Sequence, residues 1–242
     1  MPPCASSRRM GVDHVVIYAL SREFTQRDCA CICGGAGPMR LRIFAWFMAR
    51  FGHKADRYLA SYKSKLFADV SGTVLEVGPG AGANFRHFAT KEVRWIGVEP
   101  NPYMNRHMAE EARRVGLRID VLCGAAEDLP VKAASVDYVI STLVLCSVTD
   151  QRRALAEVVR VLKPGGKLVF IEHVAAPPGT LLRRIQSVVK PFWRRMGDGC
   201  SPDRETRASI ERSGLAVGQM IEFAAPLPIV RPHIAGYAIK PI

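Results

Sequence analysis

Thr73-Val74-Leu75-Glu76-Val77-Gly78-Pro79-Gly80-Ala81-Gly82 is the stretch from which the rest of the chain can be read. Its first half is apolar and β-branched, the composition of a strand buried on both faces. Its second half sets glycines at 78, 80 and 82. Glycine accepts the positive φ of a tight turn, and without a Cβ it lets a ligand lie against the backbone. A helix starting within 83–88 would then turn its N-terminus towards a negative group such as a carboxylate.

Downstream of this stretch, apolar runs alternate with helical spacing. Residues 94–99, 119–123 and 136–141 read as strands, with a helix over 102–115. Residues 151–162 place Leu155, Val158, Val159 and Leu162 on one helical face. Lys163-Pro164-Gly165-Gly166 reads as a turn and 167–172 as a fifth strand. This order predicts an α/β, Rossmann-like, doubly wound and mostly parallel sheet, with ligands outside the carboxyl ends of its strands. The last third departs from alternation. Residues 181–196 read as a basic amphipathic helix interrupted by Pro191, and 204–213 as a helix ended by Gly214. Residues 216–223 and 233–239 read as a C-terminal antiparallel hairpin.

Upstream, 41–67 reads as one or two helices, with Tyr58, Leu59, Tyr62, Leu66 and Phe67 at helical spacing. Residues 1–40 carry Pro2-Pro3 and Cys33-Gly34-Gly35-Ala36-Gly37-Pro38 and show little periodicity. The division expected is a poorly ordered extension over 1–40, helices over 41–70 and one ligand-binding domain over 71–242.

A chain of 242 residues, 48% hydrophobic and 23% charged, has material for a real core. No run nears the about 20 apolar residues of a membrane span; Ile43-Phe44-Ala45-Trp46-Phe47-Met48-Ala49 is closed by Arg42 and Arg50. The net charge of +12 suits nucleic acid, an anionic membrane surface or an anionic ligand. No nucleic acid is expected, because no zinc-finger, RNA-recognition or basic-zipper pattern is present and the basic residues are spread along the chain. No signal-peptide order is seen, and Asp13, Glu23 and Asp28 argue mildly against a transit peptide, although organelle targeting by 1–40 stays open. Of the seven cysteines, Cys29, Cys31 and Cys33 lack the paired Cys-x2-Cys spacing of zinc sites, and Cys123, Cys146 and Cys200 lie far apart. No metal is expected, and the bland reading is thiols in an intracellular, cytoplasmic setting.

Glu99 follows Gly78 by 21 residues, at the end of the second strand. An acid there can accept bonds from two ribose hydroxyls. Gly78-x-Gly80-x-x-Ala83 satisfies a loose dinucleotide fingerprint, so a nicotinamide or flavin nucleotide is one reading. S-adenosylmethionine is the other, and three features favour it. Glu76 can meet the amino group of an aminoacyl ligand. Ala125-Ala126-Glu127-Asp128-Leu129-Pro130 follows the third strand, where an adenine edge can be read. Nucleotide-dependent dehydrogenases have no need of the terminal hairpin.

Val74–Gly82, Gly97-Val98-Glu99-Pro100, Ala126-Glu127-Asp128-Leu129-Pro130 and Val161-Leu162-Lys163-Pro164-Gly165-Gly166 together resemble the motif set of class I S-adenosylmethionine-dependent methyltransferases with a methyltransferase type 11 domain. Gly82-Ala83-Asn84-Phe85, 141–148, Glu172-His173-Val174, Gly197-Asp198-Gly199-Cys200 and Arg231-Pro232-His233-Ile234 narrow the resemblance to the microsomal alkyl-thiol S-methyltransferases and their plant and bacterial relatives. It covers roughly 57 to 240. The resemblance implies that Glu76 binds the methionine amino group and that Gly78, Gly80 and Gly82 pass under the methionine and ribose. It puts Glu99 at the ribose hydroxyls, Ala126 and Glu127 by the adenine, and Thr142 and Leu143 beside the sulfonium. Pro79, Asn84 and Pro100 belong to the same strings. The animal members begin with a long apolar anchor that this chain does not match, so microsomal anchoring is not carried over.

Methyl transfer is an in-line displacement in which the protein mainly aligns the reactants and excludes water. A thiol acceptor must first be ionised, which asks for positive potential or a nearby base. His173, Asp198 and His233 are the candidates. Each has a plainer reading, the histidines as packing groups and Asp198 as the cap of a helix over 202–213. The helix at 181–196 either packs its apolar face on the sheet or lies on a membrane surface and delivers apolar substrates. A small, rather apolar acceptor, a thiol by resemblance, is the leading expectation. A lipid or quinone-like acceptor, or a non-catalytic S-adenosylmethionine-binding module, is the alternative. Oligomeric state is not legible.

Overall fold

The computed structural model describes residues 37–242, apart from the side chains of residues 53–55. The expectations for 1–36, including the Cys29, Cys31 and Cys33 run, lie outside the described residues. The strands are β1 Gly72–Val77, β2 Val93–Val98, β3 Ile119–Leu122, β4 Val136–Thr142, β5 Leu162–His173, β6 Ala216–Ala224 and β7 Pro232–Ile239. The helices are α1 Pro38–Leu66, α2 Asn105–Val115, α3 Gln151–Val161, α4 Leu181–Met196 and α5 Thr206–Glu211.

Among the described residues one sheet holds all seven strands in the order β3-β2-β1-β4-β5-β7-β6. β1 to β5 pair in parallel, and β7 runs antiparallel between β5 and β6. The expected Rossmann-like sheet with its C-terminal hairpin is therefore present, and the second hairpin strand is the one that docks on β5. The chain leaves β1 towards β2 and β3, then returns to the other side of β1 as β4. That reversal opens a crevice at the carboxyl ends of β1 and β4.

Both faces of the sheet are buried over most of β1, β2, β4 and β5, so those strands are apolar over most of their length, whereas the edge strand β6 is mostly exposed. Val74, Trp95 and Ile140 pack with Ala45 of α1 and with Met108 and Ala112 of α2. Leu75, Val77, Ile96, Val98 and Val139 face the other way, onto Leu155 and Val158 of α3 and Ile210 of α5. Each such aliphatic side chain, wholly removed from water, contributes on the order of 2 kcal/mol.

Four local readings change. The 41–67 segment is a single 29-residue helix that starts earlier, at Pro38, where a missing N–H costs nothing; the extension accordingly ends before residue 40. The helix expected from Ala83 is only a 3-10 turn, Phe85–His87. Phe85 and Phe88 are wholly buried, Phe85 with its ring edge-on to Trp95, and α1 covers that face instead. Lys163–Gly166 survives as a bulge within β5. Val136 pairs with Leu162 and Tyr138 with Lys167, so the four residues stand off the ladder, with Gly165 at φ 76°. Around α5, the helix expected over 204–213 contracts to six residues.

α4 corrects two expectations. It runs unbroken through Pro191. Its apolar stripe does not pack on the sheet: Leu181, Val188, Phe192 and Met196 are 66–79% exposed. The inward side is polar. Gln186 is fully buried, accepting from the Ala176 N–H and donating to the Ile229 carbonyl. Among the described residues no helix is long and apolar enough to cross a membrane.

Candidate active site

A cleft of about 700 Å³ opens at the β1/β4 crevice. That volume suits a small molecule of cofactor size. Its lining contains every residue expected to hold the cofactor: Glu76, Gly78, Pro79, Gly80, Gly82, Asn84, Glu99, Pro100, Ala126, Glu127, Thr142 and Leu143. The three glycines serve different ends. All have positive φ. A Cβ on Gly78 would strike Val144 at 2.8 Å and one on Gly82 would strike the Phe85 ring at 2.6 Å, whereas one on Gly80 would meet nothing within 4 Å. Gly80 is thus the glycine with open space above it, and the other two are required by packing.

Two buried carboxylates flank the loop. Glu76 accepts from Asn84 Nδ2 at 2.8 Å and from Trp95 Nε1 at 3.2 Å, and the same Asn84 nitrogen reaches Thr142 Oγ1 at 3.1 Å. Glu99 accepts the backbone N–H groups of Gly80 at 3.0 Å and Asn101 at 2.9 Å. Burial pushes each carboxyl up to about 7, against those hydrogen bonds, which favour the charged form. Glu127 is already engaged, its Oε1 accepting from the N–H groups of Thr149 and Asp150 at 2.6 and 3.1 Å. It holds the loop at that end of the cleft.

The wall after β4 is strained. Leu143 has φ 59°, and Asp198, across the cleft in the 197–199 turn, has φ 47°. Such conformations cost on the order of 1–3 kcal/mol each and persist only where neighbours enforce them. Glu172 is one enforcer: its buried Oε1 takes Ser141 Oγ at 2.6 Å and the N–H groups of Val144 and Leu145 at 3.1 and 3.2 Å. Asp198 does not cap α5, as one reading had it. It pairs with Arg40 of α1 at 2.9 Å, and Arg40 also donates to the Arg195 carbonyl. Burial raises the Asp198 carboxyl while Arg40 opposes the rise.

α1 adds residues that motif reading missed. Asp56 and Lys63 are buried on the cleft side of the helix and pair at 2.5 Å; Arg86 reaches the other oxygen of Asp56 at 3.0 Å. Two cations share one carboxylate, so this cluster carries a positive surplus on its side of the cleft. The signal was present in the sequence: Asp56 and Lys63 stand seven apart, on the same side of a helix as Leu59 and Leu66, an apolar stripe where unpaired charge is costly.

The two histidine candidates lie elsewhere. Among the described residues the cleft lining includes Asp198 and neither His173 nor His233. His233 is buried, donates from Nδ1 to the Arg231 carbonyl and packs beside Phe223 and Tyr58. Burial drives its pKa down to about 4, so it is neutral near pH 7. His173 Nε2 sits 3.0 Å from Cys200 Sγ. Cys146 is buried beside His173 and Cys200. A hydrogen bond from the Cys146 thiol favours the charged form of Cys200 and itself keeps Cys146 protonated.

Residues 75–170 match the methyltransferase domain family. Over 210 residues the chain is 39% identical to thiol S-methyltransferase TMT1A of Homo sapiens, covering 81% of this chain and 86% of that protein. Against thiol S-methyltransferase TMT1B of the same organism it is 38% identical, covering 84% and 88%. Among solved structures, the [4+2]-cyclase SpnF superposes with a TM-score of 0.63 at 20% identity, covering 78% of this chain and 81% of that one. At that identity the likeness concerns the fold alone, and a cyclase on this scaffold illustrates that fold does not dictate reaction.

Proposed function

The chain belongs to the class I S-adenosylmethionine-dependent methyltransferases, in the group of the thiol S-methyltransferases, and from that premise we propose that its acceptor is a small, rather apolar thiol. The observation that carries this reading is the identity to thiol S-methyltransferases over four-fifths of the chain, which spans both walls of the cleft. S-adenosylmethionine is the methyl donor, and the residues present fit it. Gly80 leaves room for a ligand on the backbone, and Glu99 offers a buried carboxylate to paired hydroxyls.

In this reading Glu99 holds the ribose hydroxyls and Glu76 the amino group, with Asn84 fixing the Glu76 carboxylate. Ala126 and Pro100 flank the adenine, and Leu143 faces the reacting centre. The cofactor supplies a methyl group already activated on a sulfonium. The chain's own tasks are alignment, exclusion of water and stabilisation of a thiolate. Lys63 and Arg86, sharing Asp56, favour that thiolate by charge, and Asp198 is the titratable group at the cleft best placed to take a proton. The test is turnover: release of S-adenosylhomocysteine with a simple alkyl thiol, and none with amines or phenols. Tight cofactor binding without turnover on any of the three would favour a non-catalytic module instead.

A second reading, a lipid or quinone-like acceptor at a membrane surface, draws on the exposed apolar residues. Met39, Ile43, Trp46 and Phe47 on α1 and Leu181, Val188, Phe192 and Met196 on α4 face solvent. Arg40 of α1 bonds the carboxyl end of α4, so the two stripes neighbour each other. Arg183, Arg184, Lys190, Arg194 and Arg195 accompany them. Peripheral contact of an intracellular, cytoplasmic enzyme with anionic lipid through 181–196 fits this arrangement. Liposome flotation at low salt tests it, and no flotation would end it.

A further inference from the structure

Behind the acceptor-side wall, three soft donors converge from three elements. Cys146 comes from the loop after β4, His173 from the end of β5 and Cys200 from the turn after α4. Their Sγ, Nε2 and Sγ atoms lie within 4.8 Å of one another, with His173 Nε2 3.0 Å from Cys200 Sγ. Bond lengths of a tetrahedral zinc site put such donors about 3.5–3.8 Å apart, so closing on an ion requires shifts well under the width of a side chain. From these positions we propose a metal site: Cys146, His173 and Cys200 bind one soft divalent cation, zinc by donor chemistry, through two thiolates and one imidazole.

Three features support it. Two thiolates, a neutral imidazole and a divalent ion sum to zero charge, which is what a buried site can accommodate. The framework is already held in place. The Ser201 N–H donates to the Cys146 carbonyl at 2.9 Å, and Arg204 bonds the carbonyls of Cys146 and Val148. The 200–204 segment therefore keeps Cys200 beside Cys146 with no ion required to recruit it. An outer hydrogen bond also exists: Trp193 Nε1 donates to Cys200 Sγ at 3.3 Å, the kind of contact that tunes a metal-bound thiolate. Three protein donors leave a fourth position for an exchangeable ligand. Gly199 and Ser147, the chain neighbours of the two cysteines, line the cleft, so the ion would brace the wall opposite the glycine loop. The proposal holds whichever acceptor the enzyme uses.

The experiment is reconstitution of the chelator-stripped, reduced full chain with Zn²⁺ or Co²⁺ alone, read by metal content and by the Co²⁺–thiolate charge-transfer absorption. Expected are one ion per chain and a thiolate band in the wild type, both retained in Cys29→Ser/Cys31→Ser/Cys33→Ser and both lost in Cys146→Ser/Cys200→Ser. His173→Gln should bind less tightly than wild type, and Trp193→Phe about tenfold less tightly, the scale of lost outer-shell support. S-adenosylhomocysteine calorimetry on the Cys146→Ser/Cys200→Ser variant certifies that it is folded. Absence of bound metal in the wild type would overturn the site, as would metal that persists in the folded double variant or leaves with Cys29, Cys31 and Cys33.

Discussion

Between positions 76 and 99 lies most of the wall proposed to hold the donor: one glycine loop and two buried acids at the ends of β1 and β2. The wall opposite draws on Arg40, Asp56 and Lys63 from α1, Leu143 after β4 and Asp198 after α4. One side is a local motif on rigid strand ends. The other is assembled from distant segments by ion pairs and a strained loop. Rigid strand ends can hold one invariant cofactor, whereas a wall assembled from distant parts can be reshaped for different acceptors without disturbing the donor.

The sharpest break of that comparison is at Gly80. Because its Cβ would point into open space, Gly80→Arg should leave the core intact, at a backbone strain of about 1–2 kcal/mol for its φ of 57°, while filling the cofactor's place. Calorimetry should show no S-adenosylhomocysteine binding in a variant whose circular dichroism matches wild type; retained affinity would remove the donor wall from the loop. Lys63→Met should break the other side. Removing one partner strands a buried carboxylate, with Arg86, half exposed, as its remaining cation. A loss of about 3 kcal/mol in urea unfolding is expected. Asp56→Leu/Lys63→Met should recover most of it, because apolar packing replaces the pair.

The same contrast explains what the sequence could reveal. Strands are buried on both faces here, so 74–77 and 96–98 stand out as apolar runs, and the glycines mark the turn that follows. Amphipathic spacing shows that α4 has an apolar stripe but not what the stripe faces; Gln186 took the inner position instead. The 83–88 segment carries helical spacing, yet the burial of Phe85 and Phe88 under α1 won over local propensity. Cys146, His173 and Cys200 are separated by 27 positions at each step, and only the sheet brings them together. Glu172 was visible as part of a string, but its role depends on three partners that lie 27 to 31 residues upstream.

Glu99 refines the donor side. Glu99→Ala should weaken S-adenosylhomocysteine by about 1–3 kcal/mol, the range of a hydrogen bond to a charged group. Its protonation gives a smaller effect with a definite sign. The carboxyl sits up to about 7 when folded, above its ordinary 4.5, while hydroxyl donors need it ionised. Through Glu99 alone, affinity should therefore be about tenfold lower at pH 6 than at pH 8, with Glu76, also pushed up to about 7, adding in the same direction. Apo stability runs the other way. The folded chain keeps a proton that the unfolded chain releases, so this contribution is present below 4.5 and is lost as pH rises through 7. Glu99→Gln should remove this share of both slopes; unchanged slopes would place the titrating group elsewhere.

Arg40 gives the smallest effect and the cleanest separation of the two walls. Its pair with Asp198 is partly exposed, 43% and 26%, so Coulomb attraction there is well screened and contributes about 0.5 kcal/mol to folding. Arg40→Ala should barely move the melting temperature. Its consequence is positional: without Arg40 the 197–199 turn loses its tie to α1, and Asp198, held at positive φ, can relax away from the cleft. The acceptor's KM should rise a few-fold while S-adenosylhomocysteine affinity changes much less, since no hydrogen bond of Arg40 reaches Glu76 or Glu99 and Asp198 acts on Glu99 only as a minor charge. If affinity for the cofactor fell in step with the acceptor, the two walls would be one coupled unit, and the division between a local donor motif and an assembled acceptor wall would have to be abandoned.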